Sequence, residues 1–382
     1  MRFWGITGTN GKTTTTWITA EFINAAKDRK CGYVTTVEVN TGTRRFYTGY
    51  TTPPLNQLKE IFAEMEANGC TDCVMEVSSH AIHQHRTGDT VFSGGVFTNL
   101  SEDHLDYHKT MEAYFDVKLD FARQIAAAHR ATPDMGRRDL PPYVVCLDGG
   151  YGKEMFNAVG NLAVNVIPVS IDCNRQQSAA FDLSELQLVG DYNKSNVLCA
   201  AALAEAAGVP HEVIQAVVST LKPRWGRLEF VECASKAKVY VDFAHTPDGL
   251  EKVLAAARGF TPEGKKLWVV FGAGGDRDPM KRPLMGEACA KLADRLVVTS
   301  DNPRSEDPMA IIEAILRGVR DQGSGIRVKV EPDRKVAIEL ALREAGEGDV
   351  VIIAGKGHET TQEIKGVKYP FDDREVVRNF RG

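Results

Sequence analysis

Apolar, β-branched runs alternate along most of the chain with stretches in which apolar positions recur every third or fourth residue. Such alternation predicts parallel sheets with helices on their faces, so the expected fold class is α/β. In the first part the pattern predicts strands near Arg2–Thr7, Cys31–Val39, Cys73–Val77, Gly95–Asn99, Tyr143–Leu147 and Ala163–Val169, with helices near Thr13–Lys27, Pro54–Asn68, Met111–Ala127 and Asn193–Ala207. The Arg130–Pro142 stretch carries Pro133, Pro141, Pro142, Arg137 and Arg138 with little periodicity and reads as a surface loop. Around Lys222-Pro223-Arg224-Trp225-Gly226 the pattern breaks. A new series of strands then begins at Lys238–Asp242, Lys266–Phe271, Arg295–Thr299, Arg327–Glu331 and Asp349–Ile353. Two domains are expected, residues 1–222 and 223–382.

Composition narrows the class without naming a chemistry. At 43% hydrophobic and 25% charged residues the chain is ordinary for a globular protein. A net charge of -5 without basic runs gives no general attraction to phosphate backbones, so nucleic acid is not an expected partner. No apolar run has the length of a spanning helix and the amino terminus enters Phe3-Trp4-Gly5-Ile6 directly. A cytoplasmic location with no membrane partner is expected. The eight cysteines are scattered and read as free thiols. Cys70 and Cys73, followed by His80, His83 and His85, could be part of a metal site, but the strand between should carry the histidines away; core packing is the expected role.

The candidate chemistry begins with Gly8-Thr9-Asn10-Gly11-Lys12-Thr13-Thr14, between a β-run and a helical pattern. In a phosphate cradle of this form glycines let backbone N–H groups approach oxygens, the lysine reaches the outer phosphates and the threonine hydroxyl binds Mg²⁺. Ile6 stands where the strict motif has glycine, so this is a shorter variant; a plain Gly-rich turn is the bland alternative. Glu76 falls at the carboxyl end of an apolar run, where α/β proteins bind ligands, and could complete Mg²⁺ coordination or merely cap. In Thr98-Asn99-Leu100-Ser101-Glu102-Asp103-His104-Leu105-Asp106, His104 is a candidate metal ligand or general base.

On these motifs, with Gln84-His85-Arg86, Gly226-Arg227-Leu228-Glu229, Asp242–Asp248, Gly274–Asp278, Asp301–Arg304 and Gly355–Glu359, the chain resembles the Mur ligases of peptidoglycan synthesis. The likeness is greatest to the MurE type, which adds the third residue of the stem peptide. The resemblance implies a central P-loop-type ATPase domain with a mostly parallel sheet, followed by a Rossmann-like α/β C-terminal domain. It also implies a reaction in which ATP phosphorylates a carboxylate and an amine then attacks the acyl phosphate. Such a transfer between anions needs charge neutralisation and alignment. Carried over by motif, Thr13 and Glu76 would hold one Mg²⁺ and Glu76 and His104 a second, reached also by a carbamate on Lys118. Asn193 and Asn196 would flank adenine, Arg227 would reach the γ-phosphate, and Asp242 would contact the nucleotide.

The same resemblance addresses the substrates. Asp301-Asn302-Pro303-Arg304 has the form found in enzymes that add meso-diaminopimelate, whose second carboxylate suits a bidentate guanidinium. Gly355 and Glu359 would receive the distal ammonium and Arg277 the proximal carboxylate. Thr51, Thr52, Ser78, Gln84 and Arg86 match positions that contact the sugar and peptide of a muramyl dipeptide acceptor. Relatives using a UDP-linked acceptor carry a further domain, on the order of a hundred residues, ahead of the phosphate loop. Here seven residues precede Gly8, so three expectations stand: a truncated copy, a separate chain supplying the uridine domain, or an acceptor without UDP. Relatives without that domain include folylpolyglutamate synthetases, the ligase half of cyanophycin synthetases and the glutamate-amidating MurT type. A domain-lacking ligase of another peptide or amino acid, and an inactive nucleotide-binding scaffold, are the competing readings.

Overall fold

The structure is a computed structural model and describes residues 1–129, 140–176, 180–321 and 326–382. Most of the Arg130–Pro142 stretch, residues 130–139, lies outside the described residues. The described chain forms two compact units. One comprises Met1–Ser101 with Tyr107–Leu221, and the other Lys222–Gly382 with the short segment Glu102–Asp106.

The first unit is built on strands β1 (Arg2–Thr7), β2 (Cys31–Val34), β3 (Val39–Asn40), β4 (Arg45–Phe46), β5 (Asp72–Glu76), β6 (Phe92–Phe97), β7 (Pro142–Cys146) and β8 (Asn165–Val169). Among the described residues they make one sheet in the order β4-β3-β2-β5-β1-β6-β7-β8. From β2 to β8 the pairings are parallel, whereas β2-β3 and β3-β4 are antiparallel. The central strands are buried along most of their length, which explains why they read as continuous apolar runs rather than alternating ones. Helices Lys12–Ala25, Met111–Ala128 and Asp191–Ala206 cover the sheet. Leu58, Ile61, Phe97, Phe121 and Ile125 lie in its core, as do Cys70 and Cys73.

One strand departs from expectation. The run Cys31–Val39 is not continuous: β2 ends at Val34 and the chain turns back into β3. The cause is local, because the Thr35 hydroxyl oxygen accepts from Val37 N and Glu38 N and the Thr35 amide donates to Glu38 O at 3.1 Å. A threonine side chain thus closes a turn inside a β-branched run.

The second unit has strands β9 (Glu229–Phe230), β10 (Lys238–Asp242), β11 (Leu267–Phe271), β12 (Arg295–Val298), β13 (Arg327–Val330) and β14 (Val350–Ala354), ordered β13-β12-β11-β14-β10-β9. Only β9 runs antiparallel to its neighbour. A hairpin of β15 (Thr361–Ile364) and β16 (Val367–Pro370) follows. Polar residues at the carboxyl ends of β10, β12 and β14 gather where open parallel sheets bind ligands. No helix among the described residues is long and apolar enough to cross a membrane.

Candidate active site

In the first unit, β1 leads into the loop Gly8–Gly11 and then directly into the helix Lys12–Ala25. Gly11 takes φ +84°, and a Cβ there would lie 2.3 Å from Asn196 Oδ1, so only glycine fits between loop and helix Asp191–Ala206. Gly11, the N-cap residue of the Lys12–Ala25 helix, brings no side chain to the helix start. Its first amides therefore suit an anion. Lys12 Nζ donates to Gly8 O at 3.0 Å and Thr9 O at 2.8 Å, folding the ammonium over the loop. Thr13 is buried on the first turn of the helix. Asn99 Oδ1 accepts from Asn10 N and Asn99 Nδ2 donates to Asn10 O, bracing the loop from the end of β6.

Parallel registry sets Glu76 beside Ile6, one strand over from the loop. Its carboxylate is buried, with Oε1 accepting from Thr36 N at 2.8 Å and Oε2 from the Thr36 hydroxyl at 3.2 Å. Thr36 was not singled out from the sequence; it follows the end of β2, beside β5, so the strand-end argument that found Glu76 applies to it too. Lys118 points inward from the helix Met111–Ala128 and is buried. Its Nζ donates to Gly8 O at 2.9 Å and lies 4.8 Å from the Tyr114 ring. Periodicity alone makes such a lysine a surface residue; tertiary packing overrides it.

The acceptor candidates form a connected group. The Thr36 and Thr51 hydroxyls hydrogen-bond at 3.0 Å, and the Thr52 hydroxyl donates to Glu76 O at 2.9 Å. Ser78 N donates to Thr52 Oγ1, Arg86 Nη1 to Thr52 O and Arg86 Nε to Gln84 Oε1. Asn193 and Asn196 are both buried on one helix; Asn196 Oδ1 accepts from the Thr15 hydroxyl at 3.3 Å, and Asn193 Nδ2 donates to Val189 O.

In the second unit, Trp225, Gly226 and Leu228 all have positive φ. Asp242 secures this bend: one oxygen accepts from Leu228 N at 2.6 Å and the other from Ala244 N at 2.7 Å. Its site is so dry that burial raises its carboxyl pKa despite nearby Arg227 and these amides. Arg227 lies 4.6 Å over the Phe243 ring, whose other neighbours are His245 and His358. Gly226 abuts Gly357, where an added Cβ would stand 2.2 Å from the Gly357 carbonyl carbon. Burial first, then Arg227 and Arg374, push the His358 imidazole down to about 3.

His104 sits at φ +56° in the segment assigned to this unit, with Nε2 3.5 Å from the Asp103 carboxylate. Burial would raise the Asp103 carboxyl, but His104, Lys281 and His245 outweigh it and hold it well below the usual range. Lys281 Nζ is 3.6 Å from Asp103, an ion pair that no local sequence pattern announces.

Three loops carry the residues expected to bind the incoming amino acid. Arg304 Nη1 donates to Gly275 O at 2.6 Å and Nε lies 3.6 Å from Glu363, while Arg277 is exposed and bonds only Asp276 O among the contacts described. Asn302 Nδ2 and Lys356 Nζ both donate to Glu359 Oε2, at 2.8 and 2.9 Å, and Lys356 also donates to Asn302 Oδ1. Asp301, Asn302, Gly355 and Glu359 thus share one corner, joined there by a fully buried lysine that the sequence reading passed over.

Comparison with known proteins fits this geometry. Residues 6–204 match the Mur ligase middle domain and residues 226–357 the Mur ligase, glutamate ligase domain. The chain belongs to the Mur ligase family. Like the family, it is an ATP-dependent amide ligase. It is 39% identical to the UDP-N-acetylmuramoyl-L-alanyl-D-glutamate–2,6-diaminopimelate ligase of Aquifex aeolicus, over 99% of this chain and 77% of that one. The enzyme of the same name from Synechococcus elongatus is 41% identical over 99% and 76%. A solved structure of a protein with that name superposes with a TM-score of 0.61 at 32% identity, covering 99% of this chain and 77% of that one. A Mycobacterium tuberculosis folylpolyglutamate synthase shares the fold, with a TM-score of 0.62 at 19% identity over 93% and 88%.

Proposed function

We propose that the chain joins meso-diaminopimelate to the D-glutamyl carboxylate of a muramyl dipeptide precursor in the cytoplasm, as part of peptidoglycan synthesis. The observation that carries the amine choice is Arg304 on the same loop as Asn302: its guanidinium bonds Gly275 O and lies near Glu363, while Asn302 bonds Glu359. Diaminopimelate presents a carboxylate and an ammonium at its distal end, matching that pair. Lysine lacks the carboxylate and would set an ammonium against Arg304. Arg277 would take the proximal carboxylate.

The carboxylate oxygen of the acceptor attacks the γ-phosphorus of ATP and ADP leaves. The amine nitrogen then attacks the acyl carbon, phosphate departs and the nitrogen loses a proton. Lys12 would neutralise the transferring phosphoryl group, Arg227 would reach it from the bend, and Asn193 and Asn196 would flank adenine, with Asp242 holding the bend. The buried oxygens of Thr13, on the first turn of its helix, and of Glu76, beside Ile6 on the next strand, are the hard donors that Mg²⁺ requires. Mg²⁺ held there would screen the phosphate charge. His104 and a carbamate on Lys118 would serve a second ion; the burial of Lys118 beside Gly8 supports that reading. Thr51, Thr52, Ser78, Gln84 and Arg86 would bind the peptide end of the acceptor.

The test is phosphate release by the purified chain with ATP, Mg²⁺ and meso-diaminopimelate, supplied with either UDP-linked or UDP-free muramyl dipeptide. Release that requires acceptor and amine together supports the proposal, and the better acceptor defines the substrate. Absence of amine-dependent release with both acceptors overturns it. Rescue of Lys118→Ala by short carboxylates tests the carbamate, and full activity in that variant removes it from the scheme.

A further inference from the structure

Among the described residues Arg334 is the largest wholly buried side chain, yet it opens the helix Arg334–Glu344. A cation at a helix N-terminus opposes the helix dipole, and a charge taken out of water is costly unless fully paired. Neither the helix nor the core therefore accounts for an arginine here. Its bonds do. Nε and Nη2 donate to the two oxygens of Asp373, at 2.8 and 2.7 Å. Nη2 also donates to Ala354 O at 3.0 Å and Nη1 to Ser300 O at 3.4 Å. Ala354 and Ser300 immediately precede the loops Gly355–Glu359 and Asp301–Arg304. One guanidinium, neutralised from behind, thus holds the first residues of both.

Between these loops a carboxylate is left over. Asp301 Oδ2 is buried without a hydrogen-bond partner, although Arg334 is close enough for Asp301 to favour its charge. A Cβ placed on Gly355 would stand 2.5 Å from that oxygen and 3.9 Å from Arg334 Nη2, so the oxygen faces the bare backbone of the second loop. In the neighbouring acid, Glu359, Oε2 is already taken by Lys356 and Asn302. A buried carboxylate oxygen left unbonded is expensive unless a ligand completes it.

We propose that Arg334 is a positioning residue for the incoming amine: backed by Asp373, it sets the two loops in register and leaves Asp301 Oδ2 to accept a hydrogen bond from a cationic amino group of the substrate. The proposal rests on the amine site described under Proposed function, to which the motif already assigns Asp301, and adds to it what places that residue.

Two variants test it in the full chain: Arg334→Lys, and the double change Arg334→Met with Asp373→Leu, which removes both charges and leaves neither buried alone. The readouts are KM for diaminopimelate, KM for ATP and the thermal midpoint. A rise of about tenfold in amine KM for the double variant, and a smaller one for Arg334→Lys, with ATP KM within about twofold, is expected; tenfold corresponds to about 1.4 kcal/mol. Unchanged amine KM in either folded variant, or equal rises in amine and ATP KM, overturns the proposal. If the double variant does not fold, Arg334→Lys decides by the same criterion. If wild type prefers another amine, the diaminopimelate assignment fails separately, and the same ratio measured with that amine still judges Arg334.

Discussion

The two units place charged groups at strand ends by different means. In the first, the phosphate loop follows β1 without a break, and its polar partners come from the adjoining strands: Glu76 from β5 and Asn99 from the end of β6. In the second, the corner of Asp301, Asn302, Gly355 and Glu359 is assembled from loops held by buried ions, with Arg334, Asp373 and Lys356 beneath it. Backbone-built sites have short sequence signatures, because one segment supplies most of the groups. Ion-braced sites have scattered ones, because their supports lie far apart in the chain.

If that contrast holds, changes in the first unit should remove chemistry and leave the fold intact. Lys12→Met is expected to lower kcat by about 10³-fold, the scale of a lost transition-state charge partner, with the thermal midpoint unmoved. A fall below tenfold would mean the loop binds without acting on the phosphoryl group. The amine corner should separate ligands more than it alters rate. Arg304→Ala should cost about 10²-fold in kcat/KM for diaminopimelate and leave KM for ATP within about twofold, as loss of a charge-assisted pair implies. Equal rates in mutant and wild type would remove Arg304 as selector.

Changes at the bend should instead act on stability. Gly226→Ala drives a Cβ into Gly357 at a positive φ, and a loss of about 2 kcal/mol is expected by denaturant titration. A neutral result would mean that the two backbones separate without penalty.

The smallest effect is a pH slope. His358 is held down to about 3 by burial and by Arg227, Arg374, His245 and Lys356, whereas an unfolded histidine titrates near about 6.5. Below that value the unfolded chain takes up a proton the folded one refuses, so stability is fully present above about pH 6.5 and declines towards about pH 3. His358→Asn should reduce the slope of stability over pH 4–6 by at most about 1.4 kcal/mol per pH unit. An unchanged slope would assign the acid sensitivity to other groups, His245 first.

The parallel cores were legible because strands covered on both faces are apolar throughout, and the phosphate loop because Gly, Lys and Thr serve it within a few positions. The turn at Thr35–Glu38 was not, since a β-branched run looks alike whether it continues or folds back through a hydroxyl. Nor was the burial of Lys118, which depends on what the helix packs against rather than on its own spacing. Asp103 with Lys281, and Arg334 with Asp373, stand far apart in sequence, and no local rule predicts that such charges pair in the interior.

The hairpin β15–β16 gives residue 304 an unusual independence. Arg304 takes φ +50°, with its amide donating to Glu363 O and its carbonyl accepting from Lys365 N. Its place is therefore written in the main chain, which leaves its side chain to the selecting role proposed for it. A change of residue there should exchange one substrate preference for another with little redesign of the loop. Position 304 is thus an economical point for the repertoire of this fold to diversify, one codon at a time.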